Sequence, residues 1–240
     1  MASSSRVLGA LSAFAVAALL MAGCTSSPGA EAPRSTDSPP PSSSGDDDAN
    51  DIEATLLDDG RMFAVVTRGS STCVPNVDSV EAEGQNVRVA LVDGEAEACT
   101  ADMAPRASIG ALPEGVDPTQ DMTLDVTYGD ASDDVDLDGQ PALSGTPGGS
   151  TEFQPSAGWF GDGGLVLLTW GSSTCPPVVE SIDGAGSSGT VIFATEDGMC
   201  TMDMAPRATI LSFGDDVDEE GFTLTLQGGD LDGTVSVIGG

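Results

Sequence analysis

Followed for alternation of apolar and polar positions, the chain breaks into short strands that occur twice in the same order. Met62 to Thr67 is a continuous apolar, partly β-branched run between Asp58-Asp59-Gly60 and Gly69-Ser70-Ser71, which predicts a buried strand closed at both ends by turns. Val77 to Glu83 alternates less cleanly. After the turn at Gly84-Gln85-Asn86, Val87, Val89 and Leu91 alternate with Arg88 and Ala90, predicting a half-buried strand and, with its predecessor, a hairpin. Ala107 to Leu112 and Met122 to Tyr128 supply two more strands. The second half replays the order with Leu165 to Trp170, Val178 to Ile182, Thr190 to Ala194, Ala208 to Phe213, Phe222 to Leu226 and a last strand over Thr234 to Ile238. Short strands about ten residues apart, punctuated by Gly and Pro and with no helical period, predict an all-β chain of two tandem, similar, small β-sandwich or barrel-like domains.

Two motifs mark the duplication. Gly69-Ser70-Ser71-Thr72-Cys73 returns as Gly171-Ser172-Ser173-Thr174-Cys175, and Cys99-Thr100-Ala101-Asp102-Met103-Ala104-Pro105-Arg106 returns as Cys200-Thr201-Met202-Asp203-Met204-Ala205-Pro206-Arg207. Four cysteines allow three pairings, and sequence alone does not choose among them. Duplication does: Cys73 to Cys99 and Cys175 to Cys200 enclose nearly equal loops, so one bridge per repeat survives doubling without rewiring. Each closure is worth about 3.5 kcal/mol in the chain-entropy model. Such clips matter here, because aromatics are only 4% of the chain and each core has to be built from Val, Leu, Ile, Met and Ala. Zinc is disfavoured as a rival use of the cysteines, since CxxC spacing and His are both absent.

Composition changes the picture at the amino terminus. Residues 1–23 read as a targeting segment, with Arg6 in a short polar start and Val7 to Leu20 almost continuously apolar. The run ends Leu20-Met21-Ala22-Gly23-Cys24, which resembles the lipobox of bacterial lipoproteins, with Met21 where Leu is usual. That resemblance implies that Cys24 becomes the lipidated first residue of an extracytoplasmic protein held on the outer face of the cell membrane. Residues 24–51 are Ser, Pro, Gly, Ala and acid, a composition that fills no core and predicts a tether reaching about 30 Å. β module 1 is then expected over 52–131, an Asp-, Gly- and Pro-rich linker or edge excursion over 132–156, and β module 2 over 157–240. Beyond the lipobox, the paired motifs resemble those of envelope lipoproteins of high-GC Gram-positive bacteria, a group that brings no activity with it.

Charge narrows the partners. Acids number 39 against 7 bases, all Arg, for a net charge of −32. Such a field disfavours nucleic acid and favours a basic or cation-bridged envelope protein. With no His and no Lys, Ser70, Ser71, Ser172 and Ser173 lack the usual activating base, so the motif reads as a hydroxyl-rich turn and no enzyme is expected. Asp134, Asp136 and Asp138, followed by Gly139, match the opening of a calcium loop, yet Gly145 stands where a closing Glu belongs. Calcium is the one cofactor this pattern suggests, and a calcium-dependent adhesion or substrate-capture module is the alternative to a binding or structural envelope component. A hydrolase using carboxylates that the sequence cannot place comes third. In the second motif, Pro105 and Pro206 predict a rigid corner, and Arg106 and Arg207 are each expected to pair with a carboxylate of their own module, Asp102 or Asp203 being nearest in sequence, rather than to be presented to an anionic ligand, which the negative field opposes. Trp159 and Phe160, ahead of the first strand of module 2, are expected to lid the core rather than form a sugar platform.

Peptide mapping of the unreduced protein is expected to link Cys73 to Cys99 and Cys175 to Cys200; any linkage between repeats would contradict the modular reading.

Overall fold

In the computed structural model, which describes residues 51–96, 98–161, 163–195 and 198–239, strands carry nearly all of the regular structure. The signal segment, Cys24 and the tether up to residue 50 lie outside the described residues. Repeat 1 comprises β1 (Glu53–Leu57), β2 (Met62–Gly69), β3 (Asn76–Glu83), β4 (Asn86–Val92), β5 (Ala104–Ala111), β6 (Met122–Tyr128) and β7 (Ala131–Leu137). Repeat 2 comprises β8 (Ser156–Phe160), β9 (Gly164–Gly171), β10 (Val179–Ala185), β11 (Ser188–Phe193), β12 (Ala205–Ser212), β13 (Thr223–Gln227) and β14 (Gly233–Ile238).

Each repeat folds the same way. A three-stranded sheet, β1-β2-β5 or β8-β9-β12, faces a four-stranded sheet, β3-β4-β6-β7 or β10-β11-β13-β14. The pairings are antiparallel except β4 with β6 and β11 with β13, which are parallel in both copies. In repeat 2, β14 also pairs in parallel with β8 through Val237 with Ala157 and Ile238 with Gly158, joining its two sheets along one side. In repeat 1 the corresponding approach is a side-chain bond, Ile52 N–H donating to Asp133 Oδ2 at 3.3 Å.

Three apolar clusters follow from this layering. One fills repeat 1, with Leu56, Phe63, Val65, Val89 and Leu124. A second fills repeat 2, with Trp159, Leu165, Leu167, Val191 and Leu224. The third is shared: Leu57, Ala64, Val66 and Ala107 of repeat 1 meet Phe160, Val166 and Leu168 of repeat 2. The two three-stranded sheets therefore lie back to back between the outer four-stranded sheets. That explains the patterns read above. The inner strands β2 and β9 are buried on both faces and read as unbroken apolar runs, whereas β4, with one face wet, alternates. Each element meets its own counterpart, β1 against β8 and β5 against β12, so the repeats pack as a pseudo-two-fold pair.

The approach is closest where Gly158 of β8 faces Thr55 and Leu56 of β1. A Cβ on Gly158 would fall within 2.5 Å of the Leu56 carbonyl oxygen and nearer still to Thr55 Oγ1, so the site accepts only glycine. Its counterpart in repeat 1 is Thr55, so the two halves differ at the point where one backbone closes on the other.

Several expectations are corrected. Trp159 and Phe160 do not precede the first strand of repeat 2; they lie in β8, each under a tenth exposed, one facing the interior and one the shared layer. The stretch from Ala131 to Leu137, counted mostly as linker, is β7, whose Val135 and Leu137 turn inward while Asp134 and Asp136 face water. Its acids masked a strand, because Asp is depleted in strands and leaves only a thin apolar face. Pro105 and Pro206 do not make corners. Each is the second residue of an edge strand, β5 or β12, where a missing ladder donor is tolerated.

Gly158→Val is expected to destabilise the protein by about 1–3 kcal/mol in urea unfolding, since the added atoms meet the Leu56 carbonyl, which is backbone, as well as the Thr55 side chain. An unchanged midpoint would contradict this packing of β1 on β8.

Candidate functional site

The duplicated motifs come together at one end of each repeat. Cys73, just after β2, is bonded to Cys99, ahead of β5, with Cα atoms 5.4 Å apart; Cys175 and Cys200 repeat this at 5.7 Å. Beside each bridge the hydroxyls close on an aspartate. Thr100 Oγ1 donates to Asp102, the Ser71 N–H lies 3.3 Å from both Asp102 oxygens, and the Thr100 N–H donates to Thr72 Oγ1 at 3.1 Å. Thr201, Ser173, Asp203 and Thr174 reproduce the network. Bonds from the neighbouring Thr and then Ser hold both Asp102 and Asp203 down to about 2, well under the usual carboxylate range. The hydroxyl-rich motif is thus a latch on the disulfide loop.

Arg106 and Arg207 do not pair with Asp102 and Asp203. Arg106 Nη1 donates to the Cys73 carbonyl at 2.5 Å and Nε to Thr67 Oγ1 at 3.2 Å. Its guanidinium carbon lies 5.6 Å from the Tyr128 ring centroid, and the Tyr128 hydroxyl donates to Asp93 at 2.6 Å. Arg207 Nη1 likewise donates to the Cys175 carbonyl, at 2.8 Å, and Nη2 to the Trp170 carbonyl at 2.9 Å. The pairing fails because the aspartates are spent on backbone and hydroxyl donors at the exposed tip, while each arginine reaches back into the sandwich. Each Arg anchors its disulfide by the carbonyl of the first cysteine. Burial pushes the Arg207 guanidinium below its usual value.

The acids suggested for calcium sit on a strand. Asp134 and Asp136 alternate because β7 is pleated, and Asp125 of β6 stands directly opposite Asp134, whose pKa its negative charge raises. Asp138 follows the strand's end. Among the described residues no group of three or more acids, cysteines or histidines is placed to hold a metal ion.

What the sequence did not reveal is a cleft of about 650 Å³ between the repeats. One wall is the turn at Asp58–Gly60; another is β14, which offers Thr234, Ser236 and Ile238; the third is the chain entering β8, with Gln154 and Pro155. The turn is strained: Asp58, Asp59 and Gly60 all have positive φ, at 49°, 55° and 82°. Side chains hold it there. Arg61 grips both oxygens of buried Asp58 at 3.0 and 3.1 Å, which raises its own pKa, and the Asp58 N–H donates to Ser156 Oγ of repeat 2 at 2.8 Å. Asp59 accepts from the Ser144 N–H and hydroxyl at 3.0 and 2.8 Å, pinning the chain between the repeats. Both acids of the turn are therefore committed to structure, and the polar groups left to face a ligand are the hydroxyls of β14 together with Gln140, Glu152 and Gln154. In sequence these residues read only as a turn; the one available signal was a base, Arg61, two positions after a pair of acids in a chain with few bases.

No protein-family model, curated protein or solved structure matches this chain.

Carbon-13 NMR titration of the Asp102 and Asp203 carboxyls is expected to give midpoints near 2. Because the folded pKa lies below the unfolded value of about 3.8, the stabilisation is complete above about pH 5 and is lost as pH falls through about 2. Asp102→Asn should flatten the melting temperature over that window, and an unchanged acid profile would contradict the latch.

Proposed function

We propose that the chain is an extracytoplasmic lipoprotein, anchored through Cys24, whose paired β-sandwiches serve as a binding or structural component of the cell envelope. The observation that carries the binding role is the cleft between the repeats, concave, built on rigid strands, and bordered by a backbone turn held in a strained conformation by five side-chain bonds. Strain maintained by so many contacts shapes the wall of a site more readily than it serves stability. The two acids of the turn, Asp58 and Asp59, are tied to Arg61 and Ser144, and what the cleft offers a ligand is a polar wall for recognition. The two disulfides suit an oxidising compartment, and the lipobox supplies the membrane attachment. On this reading the acidic surface keeps the sandwiches off anionic headgroups while the tether lets them reach a basic or cation-bridged partner.

Metabolic labelling with a palmitate analogue is expected to mark the wild-type protein in the membrane fraction, and Cys24→Ser should abolish the label and release the chain. A Cys24→Ser protein that stays membrane-bound would overturn the anchor.

A further inference from the structure

The two repeats match around their disulfides in the bridge, the aspartate latch and the bond from arginine to the cysteine carbonyl, and a mismatch beside the arginine leaves a pocket. Strand register aligns Leu124 with Leu224 and Val126 with Leu226, which places Gly228 where repeat 1 has Tyr128. The same comparison places Thr195 where repeat 1 has Asp93. In repeat 1 the space above the arginine is thus filled from within: the Tyr128 ring covers the Arg106 guanidinium, and its hydroxyl is received by Asp93. In repeat 2 neither group is present. Gly228 and Gly229, both with positive φ, carry the chain past without a side chain. A pocket of about 300 Å³ opens there, lined by Arg207, Trp170, Pro177, Thr195 and Leu231, with Asp230 also on its wall.

Arg207 is correspondingly under-used. Two of its donors bond the carbonyls of Cys175 and Trp170, its Nε is buried with no partner, and no carboxylate among the described residues pairs with it. Its counterpart Arg106 has Thr67 Oγ1 on Nε and a ring against its face. The hydroxyl of Thr169, which corresponds to Thr67, is likewise buried and unpaired. A cation in a one-ring pocket walled partly by Trp170, Pro177, Ala194 and Leu231 attracts an aromatic face, and a neutral ring escapes the repulsion that Asp230 and the acidic surface impose on an anion.

We propose that the pocket beside Arg207 binds an aromatic hydroxyl group, a small phenol or a tyrosine side chain, in the place that repeat 1 fills with its own Tyr128. The ring stacks on the guanidinium as Tyr128 does on Arg106, and its hydroxyl reaches the Thr195 side, where a neutral hydroxyl stands in for Asp93. This site is separate from the inter-repeat cleft, and it does not depend on the lipid anchor, so the outcome at Cys24 leaves it standing.

The test is NMR titration of the full chain in detergent with p-cresol, N-acetyltyrosinamide, toluene and 4-methylbenzoate. The proposal predicts saturable binding of p-cresol at one site, perturbing the indole resonance of Trp170, which lines the pocket, and not that of Trp159, which is buried in the interior of repeat 2. Binding of N-acetyltyrosinamide as well assigns the site to tyrosine side chains, and binding of p-cresol alone assigns it to free phenols. Toluene and 4-methylbenzoate should bind about tenfold more weakly. Tyr128→Ala should open a second p-cresol site, raising the stoichiometry from one to two, and Arg207→Lys should weaken the first about tenfold. No saturable p-cresol shift at Trp170, or preference for the carboxylate probe, overturns the proposal. A Tyr128→Ala protein that remains folded and binds no second equivalent overturns it too.

Discussion

The structure depends on apolar burial between two β-sheets that belong to different repeats. Leu57, Ala64 and Val66 from one half close against Phe160, Val166 and Leu168 from the other. The central strands of these sheets, β2 and β9, are buried on both faces, and separation of the halves would expose hydrophobic surface in a chain whose aromatics are few and whose individual cores are small. The duplication therefore yields four layers of sheet around three apolar clusters. Glycine at 158 against threonine at 55 shows the price of near-symmetry: an axis where like meets like needs one partner to give way.

Once the inner sheets are committed to each other, function is left to the ends and edges. The ends carry the disulfides, each bolted down by an arginine on a cysteine carbonyl and by a ring of hydroxyls on an aspartate. The same short motif builds both, so it is a fold-stabilising device used twice. The places where the repeats part company are more informative about ligands. They are the turn at Asp58–Gly60 with its cleft, and the Arg207 pocket, where repeat 2 lacks the tyrosine and aspartate that repeat 1 has at the equivalent positions. Duplication gives its own control here, because the filled site in repeat 1 displays the contacts that the open site in repeat 2 lacks.

Much of the architecture was legible in the chain. The unbroken runs of β2 and β9, the alternation of β4, and equal cysteine spacings led to an all-β tandem with one bridge per repeat, which the structure shows. What escaped reading was set by contacts distant in sequence. β1 and β7 were missed because their patterns are short or acidic and make sense only beside their partners. Arg106 and Arg207 were given to the nearest aspartates, whereas the fold carries them to carbonyls about thirty residues away. Nothing in Asp58-Asp59-Gly60-Arg61 announces that its turn borders a cleft, since the opposite wall is β14, at the far end of the chain. Local chemistry was readable; the meeting of the halves was not.

The shared central layer is tested most directly by equilibrium urea unfolding with one probe in each half. Tyr128 is the chain's single tyrosine and lies in repeat 1, while both tryptophans, Trp159 and Trp170, lie in repeat 2. With tyrosine and tryptophan isotopically labelled and followed by NMR, burial of a common layer predicts coincident transitions with one midpoint and one slope. Two separate transitions, with one half remaining folded after the other has melted, would contradict it.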